Sequence, residues 1–175
     1  MKKKALLLDR DGVVNVEHGY VGHRDRFEFM DGIFDLLHRA IDEGYYLVLV
    51  TNQAGVAKGY YKEEDFEALT AYMLQEMKKE GINFSLIQWC FEHPDSEIHR
   101  YKRLSFWRKP SAGMILEAAV KLNIDLQKSI MVGDKLTDIQ AAQNAGVGTI
   151  LWLGGQSEMD RIKNVHTLEE VKTYL

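Results

Sequence analysis

Five apolar runs punctuate the chain: Ala5–Leu8, Tyr46–Val50, Leu86–Cys90, Ser129–Val132 and Gly148–Leu153. They are rich in aliphatic residues and lack polar alternation, the pattern of strands covered on both faces, as in a parallel sheet. Between them the apolar positions recur at helical spacing. Ile33, Leu36, Leu37 and Ala40 share one face, as do Phe66, Leu69, Met73 and Met77, and the segments Met114–Leu122 and Ile139–Ala145 repeat the pattern. Gly44, Gly81 and Gly146 stand where helix C-termini call for a residue that tolerates positive φ. Thr167, three residues before Glu170, is placed to cap a short last helix.

Strand and helix thus alternate, which predicts an α/β fold: a three-layer, Rossmann-like parallel sheet with right-handed crossovers and its reactive groups at the carboxyl ends of the strands. Two segments break the rhythm. Residues 15–31, between the first strand and the first helix, are neither helical nor extended in pattern and suggest a small flap. Residues 91–107 form a loop long enough to be functional or mobile. Neither is large enough for a cap domain, and 175 residues fit one domain, 1–175.

Composition narrows the function classes. At 46% hydrophobic and 27% charged residues the chain reads as globular, and no apolar run approaches the length that crosses a bilayer. Lys2–Lys4 precede an apolar run too short for a secretory signal, so a cytoplasmic monomer without membrane contact is expected. The one cysteine, Cys90, allows no internal disulfide. A net charge of −4 argues against nucleic acid as a partner and leaves room for a small anion met by local cations.

Polar residues follow the strands in a telling way. Asp9 and Asp11 end the first, Thr51 and Asn52 the second, Arg108 and Lys109 the loop after the third, Gly133 and Asp134 the fourth. The topology gathers them on one edge. Carboxylates brought that close repel one another, so a hard divalent cation is their natural partner, and Mg²⁺ takes one or two carboxylates together with waters and a phosphate oxygen. Lys109 and the Thr51 hydroxyl then remain to hold phosphoryl oxygens.

In order along the chain, Leu8-Asp9-Arg10-Asp11-Gly12, Val50-Thr51-Asn52, Arg108-Lys109-Pro110 and Gly133-Asp134-x-x-x-Asp138 resemble the four motifs of the haloacid dehalogenase-like phosphatases. His18-Gly19-Tyr20-Val21, Phe27-Glu28-Phe29, Thr51-Asn52-Gln53-Ala54-Gly55 and Met131-Val132-Gly133-Asp134-Lys135 are similar to the D-glycero-D-manno-heptose 1,7-bisphosphate 7-phosphatases, with the histidinol-phosphate phosphatases as near relatives. The resemblance implies a phosphoric monoester hydrolase supplying heptose for lipopolysaccharide. It also implies Asp9 as nucleophile, Asp11 as general acid and base, Thr51 and Lys109 as phosphate stabilisers, and Mg²⁺ held by Asp9, the Asp11 carbonyl and Asp134. Asp138 is expected to orient its neighbours. Substrate contacts are implied at Glu17, His18, Gly19, Tyr20, Asn52, Gln53, Ala54, Arg108 and Lys135, with the Arg108 fork suited to a second phosphate.

One departure stands out. Relatives that carry a structural zinc place Cys-x-His and Cys-x-Cys where this chain has Cys90, Glu92, Ser105 and Trp107. With one such ligand kept, and only His93 and His99 nearby, no structural zinc is expected, and the loop is expected to be held by Phe91, Leu104, Phe106 and Trp107 packing down. A histidinol-phosphate phosphatase and a catalytically inactive phosphate-binding module stand as alternatives.

Overall fold

Leu6 and Leu8 face one side of the first strand and Ala5 and Leu7 the other, and all four are fully buried. That two-sided burial defines the architecture of the computed structural model, which describes residues 2–159 and 161–175. Six strands, β1 (Ala5–Leu8), β2 (Tyr46–Asn52), β3 (Leu86–Cys90), β4 (Ile130–Gly133), β5 (Thr149–Leu153) and β6 (Ile162–Val165), form one parallel sheet in the order β3-β2-β1-β4-β5-β6.

Helices α1 (Ile33–Asp42), α3 (Glu63–Lys79) and α6 (Leu168–Lys172) bury Leu36, Leu37, Met73, Met77 and Val171 against Leu6, Leu8, Leu47 and Leu49. On the opposite face α4 (Gly113–Leu122) and α5 (Leu136–Ala145) bury Met114, Ile115, Ala118 and Ile139 against Leu7, Val48, Val50 and Met131. A one-turn helix, α2 (Ala54–Ala57), follows β2 directly. Gly44, Gly81 and Gly146 take positive φ at their helix ends, and Thr167 Oγ1 accepts the Glu170 amide at the start of α6. No helix among the described residues is long and apolar enough to cross a membrane.

Three differences from the sequence expectation have clear causes. The strand β6 goes unpredicted because its sequence, Ile-Lys-Asn-Val, is buried only at its two ends, as an edge strand permits. Next, β2 runs two residues past Val50, because Thr51 and Asn52 still pair with Trp89 and Cys90 of β3. The third concerns the long loop, where only Phe91 of the four expected anchors packs inward, against Phe66 and Tyr101. Leu104 is 88% exposed, and Phe106 and Trp107 also reach solvent. The loop is instead held by buried Tyr101, by Ser96 Oγ donating to the Ala57 carbonyl at 2.6 Å, and by an Arg103–Glu92 ion pair at 2.7 Å.

The flap is pinned at both ends. Val16 N donates to Glu28 O and Met30 N to Val14 O, while Val21 is fully buried and Phe27 and Phe29 pack on the core. Truncating fully buried Leu36 to Ala should cost about 2–5 kcal/mol in urea unfolding, since its neighbours fill such a cavity only in part. Val120→Ala, at an 83% exposed position of α4, should stay within about 0.5 kcal/mol.

Candidate active site

Asp9 is the first residue beyond β1 and Asp134 the first beyond β4. These strands are neighbours at the point where strand order reverses, which opens a crevice at their carboxyl ends. Gly12 makes the approach possible: at φ +88° it turns the chain back, and a Cβ there would lie 2.2 Å from Asp134 Oδ2. The glycine thus makes room for a carboxylate.

Lys109, from the loop after β3, is buried at the centre. Its Nζ lies 2.8 Å from Asp9 Oδ1 and 2.6 Å from Asp138 Oδ1, and donates to the Val50 carbonyl at 2.7 Å. Burial works against the ammonium charge, but Asp138 and Asp9 outweigh it and hold the lysine pKa above its usual value. Asn52 fixes this residue from below, its Nδ2 donating to Lys109 O and its Oδ1 accepting Lys109 N. Asp138, in the first turn of α5, accepts the Lys135 amide through Oδ2 and offers Oδ1 to the lysine.

Asp9, Asp134 and Asp138 each place a carboxylate oxygen within 4.8 Å of the others. Lys109 pairs with Asp9 and Asp138, Asp134 feels mainly the Lys135 ammonium, and the carboxylates still outnumber the cations. Burial first, then the negative Asp138, pushes the Asp9 pKa from 3.8 to about 7, against the pull of Lys109; Asp134, pushed mainly by burial, rises to about 6. Asp134 Oδ1 is buried without a hydrogen-bond partner. An all-oxygen donor set with excess negative charge and an unsatisfied oxygen fits a hard divalent cation.

Asp11 is held by three donors. Arg10 Nη2 at 2.9 Å and Asn15 Nδ2 at 3.1 Å reach Oδ1, and Gln53 Nε2 at 2.9 Å reaches Oδ2. Gln53 also donates to Thr51 Oγ1, and both residues are buried.

A cleft of about 270 Å³ opens over these groups, walled by Tyr20, Asn52, Ala54, Arg108, Lys135 and Thr137. Lys58 donates to Tyr20 Oη at 2.5 Å, and Arg108, half-buried, donates to the Glu92 carbonyl. Glu17 bridges flap to site through Lys135 at 2.6 Å and accepts the Gly19 amide. His18 pairs with Glu28 in the exposed flap and does not line the cleft. Gln53, 1% exposed, is spent on Asp11 and Thr51 rather than open to a ligand. Sequence reading passed over Arg10, Asn15, Tyr61, Lys58 and Thr137. Of these only Arg10, a charge between two aspartates leading into apolar Val13 and Val14, carries a sequence signal of a buried ion.

Of the four loop positions set beside a zinc site in the sequence, Cys90, Glu92 and Ser105 come together. Cys90 Sγ lies 3.9 Å from Ser105 Oγ and 4.0 Å from Glu92 Oε2, but Glu92 is paired with Arg103. Burial raises the Cys90 thiol pKa. Among the described residues the one set of three or more potential metal ligands is Asp9, Asp134 and Asp138.

A family model described as HAD-hydrolase-like matches residues 106–173. The chain is 48% identical over 151 residues to a D-glycero-alpha-D-manno-heptose-1,7-bisphosphate 7-phosphatase of Burkholderia mallei, covering 86% of this chain and 80% of that protein. It is 46% identical over 145 residues to the D-glycero-beta-D-manno-heptose-1,7-bisphosphate 7-phosphatase of Yersinia pestis, covering 83% and 77%. The crystal structure of D,D-heptose 1,7-bisphosphate phosphatase from B. bronchiseptica, complexed with magnesium and phosphate, superposes with a TM-score of 0.83 at 28% identity, covering 97% of this chain and 96% of that one. With its strand-end carboxylates and buried lysine, this chain belongs to the heptose-1,7-bisphosphate 7-phosphatase family of haloacid dehalogenase-like hydrolases, which are phosphoric monoester hydrolases.

Proposed function

We propose that this chain, as one domain over residues 1–175 acting as a monomer, removes the 7-phosphate from D-glycero-D-manno-heptose 1,7-bisphosphate through an aspartyl phosphate on Asp9. The observation that carries this reading is the meeting of Asp9, Lys109 and Asp134 in one buried cluster, with Asp11 beside it in the same cleft. Mg²⁺, which the carboxylates of Asp9 and Asp134 and the carbonyl of Asp11 would hold, supplies the positive charge that lets an anionic nucleophile meet an anionic phosphoryl group.

The side chains divide the remaining work. Asp9 attacks phosphorus and takes the phosphoryl group, splitting one difficult displacement into two easier ones. Lys109 and the Thr51 hydroxyl stabilise charge on the phosphoryl oxygens, and burial makes each interaction count for more than it would in water. Asp11 gives a proton to the departing sugar oxygen, then takes one from the water that cleaves the acyl phosphate. Tyr20, Ala54, Arg108 and Lys135 line the cleft where the sugar and its second phosphate would lie. Arg108 keeps further guanidinium N–H donors beyond its bond to Glu92 O, and a fork of donors suits a phosphate better than a hydroxyl.

Three outcomes test this. Asp9→Asn should lower phosphate release from the bisphosphate by about a thousandfold or more. Arg108→Ala should cut kcat/KM for the bisphosphate about tenfold to a hundredfold while changing hydrolysis of histidinol phosphate little; an equal loss on both would detach Arg108 from the second phosphate. Mg²⁺ should also raise the thermal midpoint more at about pH 8 than at about pH 5. In the metal-free folded protein Asp9 and Asp134 hold protons up to about 7 and about 6, whereas in the unfolded chain they release them near 3.8. Metal-free stability therefore falls as pH rises through that window, and the cation, which competes with those protons, restores most where they are gone.

A further inference from the structure

Asp11 has an unusually complete set of neighbours. An ionised carboxylate offers about four acceptor directions, two on each oxygen. On Oδ1 both are filled, by Arg10 Nη2 and Asn15 Nδ2; on Oδ2 one is filled, by Gln53 Nε2. Every one of these groups donates and none accepts, so a proton on Asp11 finds its place only in the remaining direction of Oδ2.

The Gln53 amide cannot turn round to change this. Tyr61 Oη donates to Gln53 Oε1 at 2.6 Å, which commits the amide nitrogen to Asp11 and Thr51. Burial lifts the Tyr61 pKa to about 12, so the hydroxyl stays a donor. Tyr61 is itself wedged in place: a Cβ on Gly22 of the flap would lie 2.2 Å from its ring, and one on Gly55 of α2 would lie 2.1 Å from it. The flap also reaches Asp11 from the other side, because Arg10 Nη2 donates to the Val21 carbonyl at 2.5 Å as well as to Asp11.

We propose that Tyr61 and Gln53 are positioning residues that, together with Arg10 and Asn15, confine the proton exchanged by Asp11 to its Oδ2. The proposal rests on the reading of Asp11 as general acid and base. In the first half-reaction the bond from phosphorus to the sugar oxygen breaks as the bond to Asp9 forms, and the proton on Oδ2 passes to that sugar oxygen. In the second, a water oxygen bonds to phosphorus, the Asp9–phosphorus bond breaks, and a proton from that water returns to Oδ2.

The leaving group reports on this directly. A sugar or alkyl phosphate needs its leaving oxygen protonated, whereas an aryl phosphate with an acidic phenol does not, and kcat/KM covers only the steps through departure of that group. With Mg²⁺ present, Gln53→Met should lower kcat/KM on the alkyl substrate about tenfold to a hundredfold and on p-nitrophenyl phosphate by less than about threefold. Tyr61→Phe, which keeps the ring in its glycine cradle, should show the same selectivity at about threefold to tenfold. Equal losses on the two substrates, or no loss on either, would overturn the proposal. Asp11→Asn serves as the reference. If it shows the alkyl-selective loss and Gln53→Met does not, the positioning role fails alone; if Asp11→Asn lacks it, the general-acid reading fails and takes the proposal with it.

Discussion

A buried ammonium among three carboxylates is the interaction on which the rest of this structure depends. Lys109 touches Asp9 and Asp138 at once, stands on the carbonyl of Val50 and is 2% exposed, at the floor of the cleft. Isolating such charges from water costs several kcal/mol each, so the cluster persists only because each partner is held in place by something else. The Lys109 backbone is clamped by Asn52 on both sides, Asp138 is fixed by the first turn of α5, and Asp9 is anchored at the end of the central strand. The sheet is the rigid frame that keeps like charges near one another.

Frame and loops share the work unequally. Asp9, Thr51 and Asp134 sit at strand ends, where the backbone has least freedom, whereas Tyr20 lies in the flap and Arg108 and Lys109 follow the long loop. Flap and strand ends are joined by Glu17 to Lys135 and by the Val21 carbonyl to Arg10. An ion pair, a buried serine and two inward aromatic rings hold the loop that leads to Arg108.

Much of this was legible in the chain. Doubly buried strands announce themselves as unbroken aliphatic runs, and the polar residues that end them are conspicuous for that reason, so Asp9, Thr51 and Asp134 stand out before any fold is known. The two edge strands differ: Leu86–Cys90 is apolar enough to be predicted, though it is only partly covered, whereas Ile162–Val165, with Lys163 and Asn164 at its centre, is not. Pairings across long stretches of sequence are equally silent. Nothing in the chain says that Asp138 meets Lys109, or that Gln53, placed among residues resembling substrate contacts, turns inward to Asp11. Aromatic residues in the long loop misled in the opposite sense, since hydrophobicity predicts burial only where there is a surface left to cover, and Phe66 and Tyr101 already occupy it beside Phe91.

The central claim is that Lys109 is the counter-charge that lets the three carboxylates coexist, and the most direct measurement is the unfolding free energy of Lys109→Met beside the parent protein, metal-free, at two pH values. The account predicts a loss of about 3–5 kcal/mol at about pH 8, above the range in which Asp9 and Asp134 of the parent protein hold their protons. It predicts a clearly smaller loss at about pH 5, where Asp9 and Asp134 carry protons. A loss of the same size at both values would mean that the lysine contributes packing alone, and would contradict the account.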